Sequence, residues 1–175
     1  SRERRNGFVS RERQEKASYH VQRARLAALA EAFEAVGVDW STVPVVERFE
    51  HTIEDGASAA RQLLDAHPHV TALVCTSDIL ALGALKEAQR RRLQVPADLT
   101  ITGFDGVPEG ERADLTTVRQ PVREKGRCAG KLLLDPNRRV GSAAVTPEVI
   151  TLETELRIGR TSAPPRTAEQ RWFGP

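Results

Sequence analysis

Short apolar, β-branched segments alternate along this chain with longer stretches in which apolar residues recur every three or four positions. Gly7-Phe8-Val9-Ser10 reads as the end of a strand. Ser18 to Val36 reads as a helix of roughly five turns. Leu26, Leu29, Phe33 and Val36 fall on one side of it, and Gly37 stands where a left-handed C-terminal cap is wanted. Val43-Pro44-Val45-Val46 is a second strand, which its proline places near a strand start or edge. Asp55 to Ala66 is a second helix with Ala57, Ala60, Leu63 and Leu64 on one side, stopped by Pro68.

Val70-Thr71-Ala72-Leu73-Val74-Cys75 is continuous, apolar and short, as a strand buried on both faces should be. Ser77 or Asp78 can cap a third helix that runs to Arg91, with Ile79, Leu82, Leu85 and Ala88 as its expected apolar side. Leu99 to Gly103 is a fourth strand. The order β-α-β-α-β-α-β predicts an α/β fold: a parallel sheet with helices on both faces and right-handed crossovers. The rhythm changes after Phe104. Residues 106–114 read as an irregular polar loop and Leu115 to Val118 as an extended linker. A fourth helix opens at Pro121 and runs to Leu134, with Val122, Ala129, Leu132 and Leu133 apolar. Val149 to Leu152 and Leu156 to Ile158 read as late strands. The end of the chain, from Ala163 to Pro175, lacks periodicity and is expected to be disordered.

Composition narrows the function. A chain of 175 residues with 39% hydrophobic and 29% charged residues can bury a core without disulfides or a structural metal. No apolar run approaches the roughly 20 residues a membrane-spanning helix needs. Lys+Arg 26 against Asp+Glu 24 leaves a net charge of +2, too little to argue for nucleic-acid binding by itself. The excess is local: Arg2, Arg4, Arg5, Arg11, Arg13 and Lys16 face only Glu3, Glu12 and Glu15, the mark of a solvated face or loop. Cys75 and Cys128 form no CxxC pair, so free thiols in a reducing compartment, and hence a cytoplasmic location, are expected. No methionine occurs, which points to a segment of something longer.

In an open parallel α/β sheet, ligands bind beyond the carboxyl ends of the strands, where loops and helix N-termini converge. That rule selects the loop after Ser10, the residues after Val46, Thr76-Ser77-Asp78 and Gly103-Phe104-Asp105-Gly106. Asp105 at a strand end can accept hydrogen bonds from vicinal hydroxyls or ring N–H groups, although an aspartate opening a turn before Gly106 explains the same residue. Capping accounts for Ser77 and Asp78. Phe49, in Glu47-Arg48-Phe49-Glu50-His51, can stack on a ring or fold back on the core. Arg25 can aim its guanidinium into a cleft or into solvent. No GxGxxG, GxxxxGK[ST] or GxSxG occurs. Of the histidines only His67-Pro68-His69 is closely spaced, and a structural or solvated pair accounts for it. No catalytic set, metal site or cofactor is expected.

Three blocks resemble the lactose/galactose-repressor (LacI/GalR) family of bacterial transcription regulators. They are Thr71 through Leu85 (TALVCTSDILALGAL), Val95 through Asp105 (VPADLTITGFD) and Leu115 through Pro121 (LTTVRQP). The likeness reaches from Arg4 to Ser162. It implies an effector-sensing domain built like a periplasmic binding protein, with two subdomains around a cleft. Residues 4–114 would form the C-terminal subdomain, 115–140 a crossover and the last helix of the N-terminal subdomain, and 141–162 return strands, followed by a tail over 163–175. The family's effector-contacting positions fall on Arg25, Phe49, Ser77, Asp105 and Gln120, and its dimer surface on Leu82 and Lys86.

The function so implied is sensing of a small polar metabolite, most simply a sugar, by a homodimer that reaches operator DNA only through a module absent from this chain. Rival readings are a periplasmic sugar-binding protein serving a transporter and a doubly wound α/β enzyme. The chain departs from the family at Asn6, at Arg11 to Gln14, in the short loop from Asp105 to Leu115, and at Asp114 in place of a proline.

Overall fold

The computed structural model describes residues 6–17, 19–135 and 149–164. Ser18, the expected return segment before Val149 and the tail beyond Pro164 lie outside the described residues. In chain order the elements are β1 (Gly7–Phe8), α1 (Arg11–Glu15), α2 (His20–Ala35), a 3₁₀ turn (Trp40–Thr42), β2 (Val46–Glu47), α3 (Ile53–Ala66), β3 (Ala72–Val74), α4 (Asp78–Arg90), β4 (Thr100–Asp105), α5 (Pro108–Arg112), β5 (Thr116–Arg119), α6 (Val122–Leu134) and β6 (Glu155–Arg157).

Helix boundaries follow local chemistry. Ser10, Thr52 and Ser77 cap α1, α3 and α4 through their hydroxyls. Gly37, at φ +80°, closes α2, with the Val38 N–H on the Phe33 carbonyl and the Gly37 N–H on that of Glu34.

The main sheet has the order β3-β4-β5-β6. Parallel pairing joins β3 to β4 (Leu73 opposite Ile101) and β4 to β5 (Thr102 opposite Thr116, Asp105 opposite Arg119), and β6 returns antiparallel on β5. Leu115 to Val118 is therefore no linker: from Thr116 it is a strand with partners on both sides. The 106–114 loop contains the short helix α5, opened by Pro108. β1 and β2 form a separate antiparallel pair rather than extending the parallel sheet. That leaves β3 at the sheet edge, and it is buried on one face only: Leu73 is covered, Ala72 and Val74 are exposed. Of the two late strands, only Glu155–Arg157 forms. Beyond it the chain is still held at Ala163, whose carbonyl accepts from Thr100 Oγ1 at 2.9 Å.

The core lies between the sheet and the α3–α4 pair: Ala60, Leu64, Leu73, Ala81, Ala84, Ala88, Leu99, Ile101 and Leu115. The buried side of α4 is the row of small residues, not Ile79, Leu82 and Leu85. Close approach of α3 is the reason. A Cβ on Gly83 would come within 2.1 Å of the Ile53 carbonyl oxygen, and one on Gly56 within 2.3 Å of that of Leu80. Only small residues fit where two helix backbones touch, so the larger apolar side chains of α4 are displaced to its flanks. Leu82 is half-buried and Lys86 exposed.

Candidate functional site

Three segments that end or begin at the carboxyl edge of the main sheet meet at one point. They are the β3–α4 turn (Thr76, Ser77), the end of β4 (Phe104, Asp105) and the residue after β5 (Gln120). Arg25, about a third of the way along α2, reaches them from outside the sheet. Its Nη1 donates to the Thr76 carbonyl at 2.6 Å, its Nη2 lies 3.5 Å from Asp105 Oδ1, and its guanidinium carbon sits 3.7 Å from the centre of the Phe104 ring. A planar cation stacked on an aromatic face and held at both ends is fixed in orientation in a way a lysine would not be.

Asp105 closes β4 at φ +118°, a conformation side-chain-bearing residues rarely adopt. Its Oδ1 accepts from Gln120 Nε2 at 2.7 Å, and its carbonyl accepts the Gln120 N–H at 3.1 Å. The carboxyl is pushed above the ordinary aspartate value, first by burial and secondarily by the nearby Asp78 charge; Arg25 and Gln120 pull the other way. The side-chain contacts above use one carboxylate oxygen, Oδ1. A hydroxyl or N–H of a bound molecule can donate to the second.

Arg25, Asp105 and Gln120 are thus joined directly. Ser77 adjoins them but is 6% exposed, its hydroxyl accepting the Leu80 N–H as the α4 cap. Phe49 follows β2, on the other sheet; its N–H donates to Asn6 Oδ1 at 2.9 Å and its side chain is 45% exposed. Strand-end geometry selects the segments holding Phe104 and Thr76 but gives neither residue a role: Phe104 is the platform under Arg25 and the Thr76 carbonyl its anchor. The GFD triplet, an aromatic immediately before a strand-end aspartate, was the available signal for Phe104.

Asp78 does not cap its helix. It is fully buried and turns away to accept the N–H groups of Gly106 and Val107 on Oδ2, both at 2.8 Å, and the Thr117 hydroxyl on Oδ1 at 2.6 Å. Cys75, the residue after β3, is a free thiol pushed up to about 12 by burial and by the Asp78 charge, which makes it inert at neutral pH. Among the described residues no group of three His, Cys, Asp or Glu side chains is placed to hold a metal. No described helix is long and apolar enough to cross a membrane. His67 packs edge-on against Phe8, ring centroids 5.7 Å apart.

Comparison with known proteins decides the family. Residues 2–162 match the periplasmic binding protein-like domain. The chain belongs to that family, in its LacI-type branch. The HTH-type transcriptional regulator Rv3575c of Mycobacterium tuberculosis is 45% identical over 164 residues, 94% of this chain and 44% of that protein. A LacI-family regulator from Corynebacterium glutamicum superposes with a TM-score of 0.83 at 41% identity, covering 93% of this chain and 47% of that one. The complex of the regulator CelR with cellobiose superposes with a TM-score of 0.70 at 30% identity, covering 81% and 42%. The LacI-type domain described here therefore spans a little under half the length of these relatives, which are transcriptional regulators and not enzymes.

Proposed function

We propose that this domain binds a small uncharged polar metabolite, a sugar or close relative, on the rim formed by Arg25, Asp105 and Gln120, with Phe49 and Ser77 at its margins. The observation that carries the reading is Asp105. It is a half-buried carboxylate with a raised pKa, held at positive φ by Gln120, with Oδ2 left over to accept from a ligand. A site that keeps an uncomfortable, strained acid at its centre is arranged for a molecule that hydrogen-bonds it. Arg25 already balances the Asp105 charge, so the site asks for hydroxyls and amides rather than an ion. The cellobiose bound by CelR supports a sugar.

In the full protein, residues 4–114 would form the C-terminal half of a cleft. Strand β5 stays with that half as a strand of its sheet; after it the chain would cross to the other half through residue 140, and 141–162 would return. A ligand touching both halves favours the arrangement it fits better, and that difference in affinity would be passed to a DNA-binding module elsewhere in the cytoplasmic regulator. Leu82 and Lys86, one turn apart on the open flank of α4, would lie in a homodimer interface.

A calorimetric titration with cellobiose, lactose, ribose and a set of nucleosides tests the binding. Asp105→Ala is expected to weaken any sugar found by about 10- to 100-fold, the worth of a hydrogen bond to a charged group. An unchanged affinity rejects the site.

A further inference from the structure

Asp78 is a carboxylate with no solvent exposure that links the three sheet-edge segments of the site. It follows Thr76 and Ser77 at the start of α4, so its own backbone continues from the carbonyl that anchors Arg25. Oδ2 takes the N–H groups of Gly106 and Val107, the two residues after Asp105; Oδ1 takes the hydroxyl of Thr117, three residues before Gln120. The surrounding backbone is shaped to this side chain. A Cβ on Gly103 would come within 2.3 Å of Asp78 Oδ1, and one on Gly110 within 3.0 Å of Oδ2. Strand β4, the following loop, α5 and β5 all close on one buried anion that accepts three hydrogen bonds.

We propose that Asp78 is the positioning residue of this site, its carboxylate holding the Asp105 turn and the Gln120-bearing strand in one register so that the two present a single acceptor–donor edge. The inference rests on the ligand reading above for its purpose, but not for its geometry. Removing the three bonds frees Gly106 and Val107, and with them the unusual φ of Asp105 loses its support. The link also makes β4 and β5 move together, so a ligand pulling on Asp105 displaces the strand that leads out of the sheet towards α6.

The test is an NMR comparison of the 175-residue chain with two variants, and no ligand is needed. Asp78→Ala is expected to speed amide hydrogen exchange at Gly106 and Val107 by about tenfold or more relative to the α3 amides. Asp78→Asn keeps the shape. Its amide oxygen can accept both N–H groups while its NH₂ donates to Thr117 Oγ1, so protection at the two positions is expected to return.

The same isosteric variant removes a charge. Of the groups facing Asp105 (Arg25 from α2, Asp78 from α4, Gln120 beyond β5 and Arg119 opposite it in the ladder), only Asp78 changes. The Asp105 carboxyl is then expected to titrate at lower pH than in the parent, a shift that a purely space-filling role for Asp78 would not produce. Parent-like exchange in Asp78→Ala, failure of Asp78→Asn to restore protection, or an unmoved Asp105 midpoint each overturns the proposal. Should Asp78→Ala fail to fold, Thr117→Val carries the test of the strand link. It is expected to move the Gln120 side-chain amide resonances and leave those of Gln89 in place; unmoved Gln120 resonances reject the link. A failed sugar titration would remove the functional reading and leave these outcomes standing.

Discussion

Asp105 and Gln120 are bonded twice, side chain to side chain at 2.7 Å and backbone to backbone at 3.1 Å. The second bond continues the β4–β5 ladder one residue past Arg119, and the first turns that ladder into a ligand-facing edge. Gln120→Ala keeps the backbone bond and removes the other, leaving Asp105 one donor short. It is expected to weaken sugar binding by about tenfold with a loss of stability under about 1 kcal/mol, read by calorimetry and thermal melting on the same sample.

Asp105 itself is expected to cost the fold stability. Its pKa is raised in the folded state, so the folded protein holds the proton more tightly than the unfolded chain. Stability is therefore undiminished below the ordinary aspartate value and falls as pH rises through the folded value. Asp105→Asn removes that penalty while keeping the side chain's shape. The variant is expected to melt higher than the parent at pH 7, the gain shrinking towards pH 3, while losing affinity for the ligand.

Glu87 shows the opposite sign. It is 1% exposed and is the shared acceptor of Arg90 and Arg91 from its own helix and Arg61 from α3, with bonds of 2.7–3.4 Å. Arg90 first, then Arg91 and Arg61, lower its pKa to about 2 against the cost of burial. The stabilisation is present above the ordinary glutamate range and is lost as pH falls through about 2. Glu87→Gln is expected to cost roughly 1–3 kcal/mol at neutral pH, read from urea midpoints. Its acid melting curve should lack the part of the decline that the parent owes to Glu87.

Two glycine-to-alanine changes separate propensity from packing. At Gly83 the new methyl meets the Ile53 carbonyl at 2.1 Å, backbone that cannot step aside without parting α3 from α4; a loss of about 1–3 kcal/mol is expected. At Gly126 in α6 nothing lies within 4 Å, so the usual helix preference for alanine should show as a gain of roughly 0.5–1 kcal/mol. Denaturant unfolding of the pair distinguishes the two.

Periodicity and punctuation were enough to locate α2, α3, α4 and α6, because each carries a local signal: Gly37 past the end of α2, Pro68 after α3, Ser77 at the start of α4 and Pro121 before α6. The arrangement of the strands was legible only in part: the β-α-β order gave the parallel pairing of β3 with β4, and the rest was not readable. The antiparallel pairing of β1 with β2 and the promotion of Leu115 to Val118 into the sheet are set by contacts far apart in sequence, and residues of β propensity look alike in a linker and a ladder. The buried side of α4 was missed for a related reason, since the apparent stripe of large apolar residues gave way to the small ones that let Gly56 and Gly83 meet. At the site, strand-end geometry alone singled out Asp105 and the Thr76 to Asp78 turn. Resemblance was needed for Gln120 and to favour Arg25. Asp78 looked like a cap because caps and buried acceptors use the same residue at the same helix position; only the neighbours tell them apart.

The measurement closest to the central claim is an NMR titration of this chain with neutral sugars and polyols, a method that registers binding in the millimolar range. The expected result is a saturable shift of the Thr76, Asp105, Gly106 and Gln120 amides with at least one of them, abolished by Asp105→Ala. Saturable shifts that map to another face, shifts that persist in Asp105→Ala, or no response to any neutral ligand would contradict it.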